Sequence, residues 1–174
     1  MVHYRRAHVP GGTYFFTVAL GDRACDTLIR HIDALRSAFH CVHEARPWRT
    51  DAIVVLPDHL HVLWTLPDGD DHYPGRWRAI KSQFVQRLRF RGEPVAVNQR
   101  GECRVWQRRY WEHVIRDADD LARHVDYIHI NPVKHGLVRR TSEWRWSSFR
   151  RYVERGLVAE DWATEPTECD GFGE

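Results

Sequence analysis

Leu56-Pro57-Asp58-His59-Leu60-His61-Val62-Leu63-Trp64-Thr65-Leu66 joins two β-prone runs through a Pro-Asp turn. The apolar run Ile53 to Leu56 leads into it and Val62 to Leu66 closes it, so the spacing predicts two short strands, with His59 and His61 opening the second. Side chains alternate along a strand, and residues two apart share a face. Both imidazoles therefore point to one side. Two neutral imidazoles beside an acidic residue can hold a divalent metal while leaving most of its coordination sphere open, an arrangement suited to catalysis. A competing reading makes His59 and His61 ordinary strand residues beneath Trp64.

The length of 174 residues fits one domain with a core of its own. We expect a single catalytic domain over residues 1–158 and an acidic C-terminal tail over 159–174. No apolar stretch approaches the length that crosses a bilayer, and Met1 to Pro10 is polar and basic without the core of a signal peptide. The expectation is a cytoplasmic protein with no membrane partner. Cys25, Cys41, Cys103 and Cys169 form no Cys-x-x-Cys pair, which argues against a zinc knuckle or a disulfide framework. The formal net charge of +2 conceals a basic body offset by Glu160, Asp161, Glu165, Glu168, Asp170 and Glu174. That body carries all 26 Lys and Arg, almost all of them Arg, and seven of the eight Trp. Arginine grips phosphate bidentately and aromatic rings stack on bases, so the mixture favours nucleic acid, although solvated Arg faces also occur without it.

Outward from the central stretch, Thr13 to Leu20 alternates as a strand after the Pro10-Gly11-Gly12 turn. Leu28, Ile32, Leu35, Phe39 and Val42 recur at helical spacing, with Asp26 as N-cap and Pro47 beyond the end. Pro67 to Gly75 reads as a loop. Trp77, Ile80, Phe84 and Leu88 predict a helix from Arg76 to Arg91 whose other faces carry Arg76, Lys81, Gln83, Arg87 and Arg91. Cys103 to Ile115 holds a further strand containing Arg108, Arg109 and Tyr110. Asp117 caps a helix through Leu121, Val125 and Ile128 that Pro132 stops near Ile130 or Asn131. A short helix follows Trp146-Ser147-Ser148 and ends by Gly156. This order predicts an α+β fold, ferredoxin-like, with helices packed on a mainly antiparallel sheet.

In Asp126-Tyr127-Ile128-His129-Ile130-Asn131-Pro132, Tyr127 and Asn131 stand four apart on one helical face. An amide oxygen can serve as third metal ligand and a phenolate as nucleophile beside that metal, which would stabilise charge on a phosphoryl group under attack. Such attack leaves a covalent phosphotyrosine, so strands can be rejoined without a nucleotide cofactor. Tyr110 is a rival nucleophile or a core residue. His113, His129 and His135 read as hydrogen-bonded structural histidines, with His113 the one that could approach the site.

At these residues the chain resembles the REP-associated tyrosine transposases, within the HUH single-tyrosine superfamily. The resemblance rests on Tyr4-Arg5-Arg6, Gly11-Gly12-Thr13-Tyr14-Phe15-Phe16-Thr17, His59-Leu60-His61, Trp106-Gln107-Arg108-Arg109-Tyr110-Trp111-Glu112-His113, Asp126 to Gly136 and Trp146-Ser147-Ser148. It implies that His59, His61 and Asn131 bind the metal, Mg²⁺ or Mn²⁺, and that Tyr127 is the nucleophile. It also implies an HUH fold, nicking and joining of single-stranded DNA beside REP-type hairpins, a nucleoid-associated location and a monomer or homodimer. Lys81, Arg87, Arg108, Arg109 and Lys134 are candidate phosphate contacts, with Arg5 and Arg6 reading a single-stranded guide. Two alternatives stay open. One is a catalytically silent, domesticated hairpin-DNA-binding protein of the same fold; the other is a metal-dependent phosphodiesterase that activates water.

Overall fold

Aromatic and β-branched runs, buried on both faces in the two central strands, form the sheet, and the amphipathic runs between them become helices. The computed structural model describes residues 7–95, 97 and 103–163. In chain order the elements are β1 (Thr13–Ala19), α1 (Thr27–Arg30), α2 (Ile32–Ala45), β2 (Arg49–Val55), β3 (His59–Thr65), α3 (Tyr73–Phe90), β4 (Trp111–Val114), α4 (Ala118–Lys134) and α5 (Phe149–Glu154). The sheet runs β2-β3-β1-β4, and each neighbouring pair is antiparallel. This is the ferredoxin-like β-α-β-β-α-β order, with α4 added on the face that the crossover helices leave open.

Alternation along β1 and β3 divides the interior in two. Tyr14, Phe16 and Val18 with Leu60, Val62 and Trp64 pack on α2 and α3, through Leu35, Ala38, Val42, Trp77, Ile80 and Phe84. The Trp64 and Trp77 rings stack with centroids 4.3 Å apart. Each buried Phe-sized side chain in this layer contributes roughly 1.5–3 kcal/mol by leaving water. On the other face Phe15, Ala52, Val54 and Leu63 meet Tyr127 and Ile128 of α4. His59 and His61 share strand parity with Leu63 and so face α4, as the sequence spacing requires.

Five local expectations change. The helix expected across Leu28 to Val42 is broken at His31, and Asp26 makes no side-chain cap, its carboxylate taking Arg30 instead. The helix α3 begins at Tyr73, ahead of Arg76, because Pro74 is compatible with a first helical turn. Arg76 is buried rather than exterior: it donates to Asp70 Oδ2 at 2.7 Å and to the carbonyls of Arg46 and Pro47 at 3.1 and 2.8 Å. Of the strand expected over Cys103 to Ile115, only Trp111–Val114 joins the sheet, and Cys103 and Trp106 make isolated bridges.

The fifth change decides the site. Pro132 does not stop α4, which continues to Lys134. A proline removes one intrahelical hydrogen bond, and burial of Asn131, Pro132 and Val133 against the sheet offsets that loss. Asp117 caps the start as expected, accepting from Asp120 N at 2.8 Å. Gly136, at φ +66°, ends the helix, with Gly136 N donating to Val133 O and Leu137 N to Pro132 O, both at 2.9 Å. Among the described residues no helix is long and apolar enough to cross a membrane. Arg5 and Arg6 lie outside the described residues. A Cβ at Gly136 meets nothing within 4 Å, so Gly136→Ala tests the backbone conformation alone. The expected loss is about 1 kcal/mol in urea unfolding, and an unchanged midpoint would contradict the left-handed termination.

Candidate active site

Each ring of the histidine pair is fixed through its Nδ1. Asp58 Oδ1 lies 2.8 Å from His59 Nδ1, and since an ionised carboxylate only accepts, the proton sits on Nδ1 and the Nε2 lone pair is left exposed to the site. Arg23 binds the same Asp58 carboxylate from outside. Thr17 Oγ1 holds His61 Nδ1 at 2.9 Å, a contact set by the β1–β3 register that pairs Thr17 with His61. The two rings lie 4.9 Å apart and nearly perpendicular, at 85°.

Tyr127 and Asn131 of α4 and His135, its C-cap, succeed one another at four-residue intervals along one face. The Tyr127 ring is 5.2 Å from His61, and the His135 ring is 5.2 Å from His59. Asn131, one turn from each, is therefore presented to the histidine pair. Lys134 places its ammonium 5.0 Å from the Tyr127 ring centroid. Among the described residues, His59 Nε2, His61 Nε2 and both amide atoms of Asn131 are buried with no hydrogen-bond partner. A buried polar atom left unpaired costs roughly 1–3 kcal/mol, and most such atoms in folded proteins are paired. Four such atoms on three neighbouring side chains would be satisfied by a bound cation and its waters.

Burial is the main cause that holds His61 well below the usual imidazole range, and the charges of His59, His135, Lys134 and Arg23 act in the same direction. Burial also lowers His59, against the opposing pull of Asp58. Asp58 itself is held below the carboxylate range: burial would raise it, and His59 and Arg23 outweigh that. Both imidazoles are thus neutral at neutral pH, the state that ligates metal. Two imidazole nitrogens and an amide oxygen fit a divalent cation, with positions left for water or phosphate oxygens.

Other candidates are placed elsewhere. The Tyr110 ring packs on Phe16 and Trp77, each at 6.0 Å, across the sheet from the histidines, so it is a core residue of the other layer. His113 joins a second cluster with Asp120 and His124. His113 Nε2 lies 2.8 Å from Asp120 Oδ2, and the His113 and His124 rings stack at 4.8 Å. Burial raises the Asp120 carboxyl, yet hydrogen bonds from His113 and Arg116 hold it far below its usual range. With Arg116 and Arg123 also on this carboxylate, a cation has little left to neutralise, and the cluster anchors the start of α4. His129 bonds Ser148 Oγ at 3.0 Å, the structural role expected of it.

Lys81 and Arg87 sit on α3, across the sheet from His59. Lys81 donates to Gln107 O at 2.9 Å and lies over the Trp106 and Tyr110 rings, while Arg87 donates to Ser37 Oγ at 3.2 Å. Lys81, Arg89 and Arg108 line a cleft of about 380 Å³ between α3 and the segment before β4. Arg108, Arg109 and Lys134 are exposed. Sequence reasoning missed Thr17, Arg23 and His135. The first two needed the strand register and a loop path, whereas His135 lay within reach of the helical spacing had the helix not been ended at Pro132.

Four buried histidines, His59, His61, His124 and His129, have pKa values lowered chiefly by burial, His129 to about 4. The unfolded chain takes up protons near pH 6.5 that the folded chain refuses, so stability is full above that pH and is lost as pH falls below it. The unfolding free energy of metal-free protein should decline below about pH 6.5 by up to roughly 1.4 kcal/mol per pH unit for each such histidine. Equal stability at pH 5 and pH 7.5 in urea titrations would contradict the buried, neutral assignment.

No protein-family model matches the chain. It is 46% identical over 168 residues to the REP-associated tyrosine transposase of Escherichia coli (strain K12), covering 97% of this chain and 94% of that protein. A Haemophilus influenzae protein named for the same family is 45% identical over 168 residues, covering 95% of this chain and 96% of its own length. A solved structure of a REP-associated tyrosine transposase bound to a REP hairpin superposes with a TM-score of 0.84 at 44% identity, over 100% of this chain and 98% of that one.

Proposed function

Because the chain belongs to the REP-associated tyrosine transposases, we propose that it binds DNA hairpins of the repetitive extragenic palindrome type and nicks and rejoins single-stranded DNA beside them through Tyr127. The observation that carries this reading is the set of unpaired buried atoms on His59, His61 and Asn131 next to the Tyr127 ring. The hairpin in the related solved structure supports the choice of DNA.

His59 Nε2, His61 Nε2 and Asn131 Oδ1 would hold a divalent cation, Mg²⁺ or Mn²⁺. A bound cation polarises a phosphoryl oxygen and offsets charge that develops on it. The protein does the rest. Asp58 and Thr17 keep the two imidazoles in the orientation that leaves Nε2 available. Tyr127 supplies the nucleophile: its Oη–P bond forms as the P–O3′ bond breaks, the phenol gives up its proton, and the departing 3′ oxygen gains one. The product is a 5′-phosphotyrosine and a free 3′ hydroxyl. The number of phosphodiester bonds is unchanged, so the hydroxyl can reverse the step, or another strand's 3′ hydroxyl can replace it, without a nucleotide cofactor.

Lys134, beside Tyr127, is placed to meet a phosphate there, and the exposed pair Arg108 and Arg109 offers contact further along the DNA. Lys81 and Arg87, on α3 across the sheet from His59, are assigned to hairpin phosphates, and Arg5 and Arg6, which lie outside the described residues, to the single-stranded guide. Tyr127, His61 and Asn131 are sealed from water, so entry of the scissile phosphate requires the residues covering them to part.

Denaturing electrophoresis of protein incubated with Mn²⁺ and a labelled hairpin bearing single-stranded flanks tests the chemistry. Wild type should yield a covalent protein–DNA band, Tyr127→Phe none, and His59→Ala or His61→Ala at least about 100-fold less, while all four proteins still bind the hairpin. Intact DNA with wild type would support the silent binder, and a free cleaved product without adduct would support activation of water.

A further inference from the structure

Beyond the cleft beside α3 and the histidine site, the fold carries a cavity of about 340 Å³ at the outer edge of β2, between α2 and residues 145–148. Phe39 and Ile53 form part of its apolar floor, and the half-buried Trp146 stands in its wall. Arg36, Arg145 and Arg151 surround it. Arg145 lies against the Trp146 ring, 5.1 Å from its centroid, and among the described residues it has no carboxylate partner. Arg36 has only a loose pairing with Asp33 at 3.8 Å between exposed side chains. Arg151 binds the Thr50 and Asp51 carbonyls through Nη2, and its Nε is buried without a partner.

An apolar slot with an aromatic wall suits a flat ring, and three guanidinium groups around it require negative charge nearby. A nucleotide supplies both, the base for stacking and the phosphates for the arginines. The position agrees. Ser147 pairs with Val54 in an isolated bridge and Val54 pairs with His61 across β2 and β3. The cavity edge is thus two strand spacings, about 10 Å, from His61, within a few nucleotides of a phosphate held there.

We infer that this cavity receives one unstacked base of the single-stranded DNA flanking the hairpin, stacked on Trp146, with Arg36 and Arg145 on the adjoining phosphates. The inference rests on the hairpin-binding reading above and adds a base-reading site on the opposite side of β2 from the catalytic residues.

Fluorescence anisotropy tests it, using a labelled hairpin with single-stranded flanks, the same hairpin without flanks, and a series in which each flank nucleotide in turn is made abasic. With wild type, one abasic position should weaken binding about 5- to 100-fold, the range of a stacked base. Trp146→Ala should weaken the intact flanked hairpin similarly and abolish sensitivity to that position, whereas Trp146→Phe should retain it. Arg145→Ala changes an exposed side chain, so folding is not at stake, and it should weaken the flanked hairpin more than the flankless one. Undiminished sensitivity to the abasic position in Trp146→Ala, or equal losses on flanked and flankless hairpins in Arg145→Ala, would overturn the inference. Tight hairpin binding by wild type with no abasic sensitivity overturns this site alone; failure of wild type to bind any hairpin overturns the reading beneath it.

Discussion

The pairing of β1 with β3 is the constraint on which the rest depends. It sets Thr17 opposite His61 and Val18 opposite Leu60, and so decides which side chains of His59-Leu60-His61-Val62-Leu63-Trp64 enter the core and which face α4. Side chains alternate with a period of two, and a slip of one residue would drive both imidazoles into the aromatic layer and expel Leu60, Val62 and Trp64 from it. The stacked Trp64 and Trp77, with Phe16 against both, make that slip very unfavourable. The core on one face of the sheet therefore specifies the chemistry on the other.

The face toward α4 is correspondingly expensive. Nitrogen atoms of His59 and His61 and the whole amide of Asn131 are buried with no protein partner, and such groups destabilise a fold unless a ligand completes them. Paired groups around this patch hold its side chains in place. Asp58 and Arg23 support one imidazole and Thr17 the other, while the Asp120 cluster anchors the N-terminal end of α4 and Gly136 ends its last turn. Rigid support of this kind keeps Tyr127 and the histidines in register with each other, which is what proximity effects require.

Much of this was legible in the chain. Period-two alternation revealed β1 and β3, period 3.6 revealed α2, α3 and α4, and the spacings His-x-His and Tyr-x-x-x-Asn set each candidate pair on one face of its element. What escaped had specific physical causes. Pro132 carried a local preference against helix that tertiary burial of Asn131, Pro132 and Val133 overrode, so the last turn of α4, and with it His135, was lost from view. Arg76 resembled its exposed neighbours until the loop carbonyls of Arg46 and Pro47 and the Asp70 carboxylate closed round it. Thr17 and Arg23 act through contacts 44 and 35 residues distant in sequence, which no local pattern encodes. The Arg-rich composition pointed to nucleic acid without separating a cation that serves the fold, Arg76, from those left exposed, such as Arg108 and Arg109.

The central claim is that His59, His61 and Asn131 form one metal site next to Tyr127. Crystals of the protein grown with Mn²⁺ and a flanked hairpin, with diffraction recorded at the manganese absorption edge, test it directly. The account predicts a single strong anomalous peak bounded by His59 Nε2, His61 Nε2 and Asn131 Oδ1. A peak instead at the His113, Asp120 and His124 cluster, or none beside β3, would contradict it.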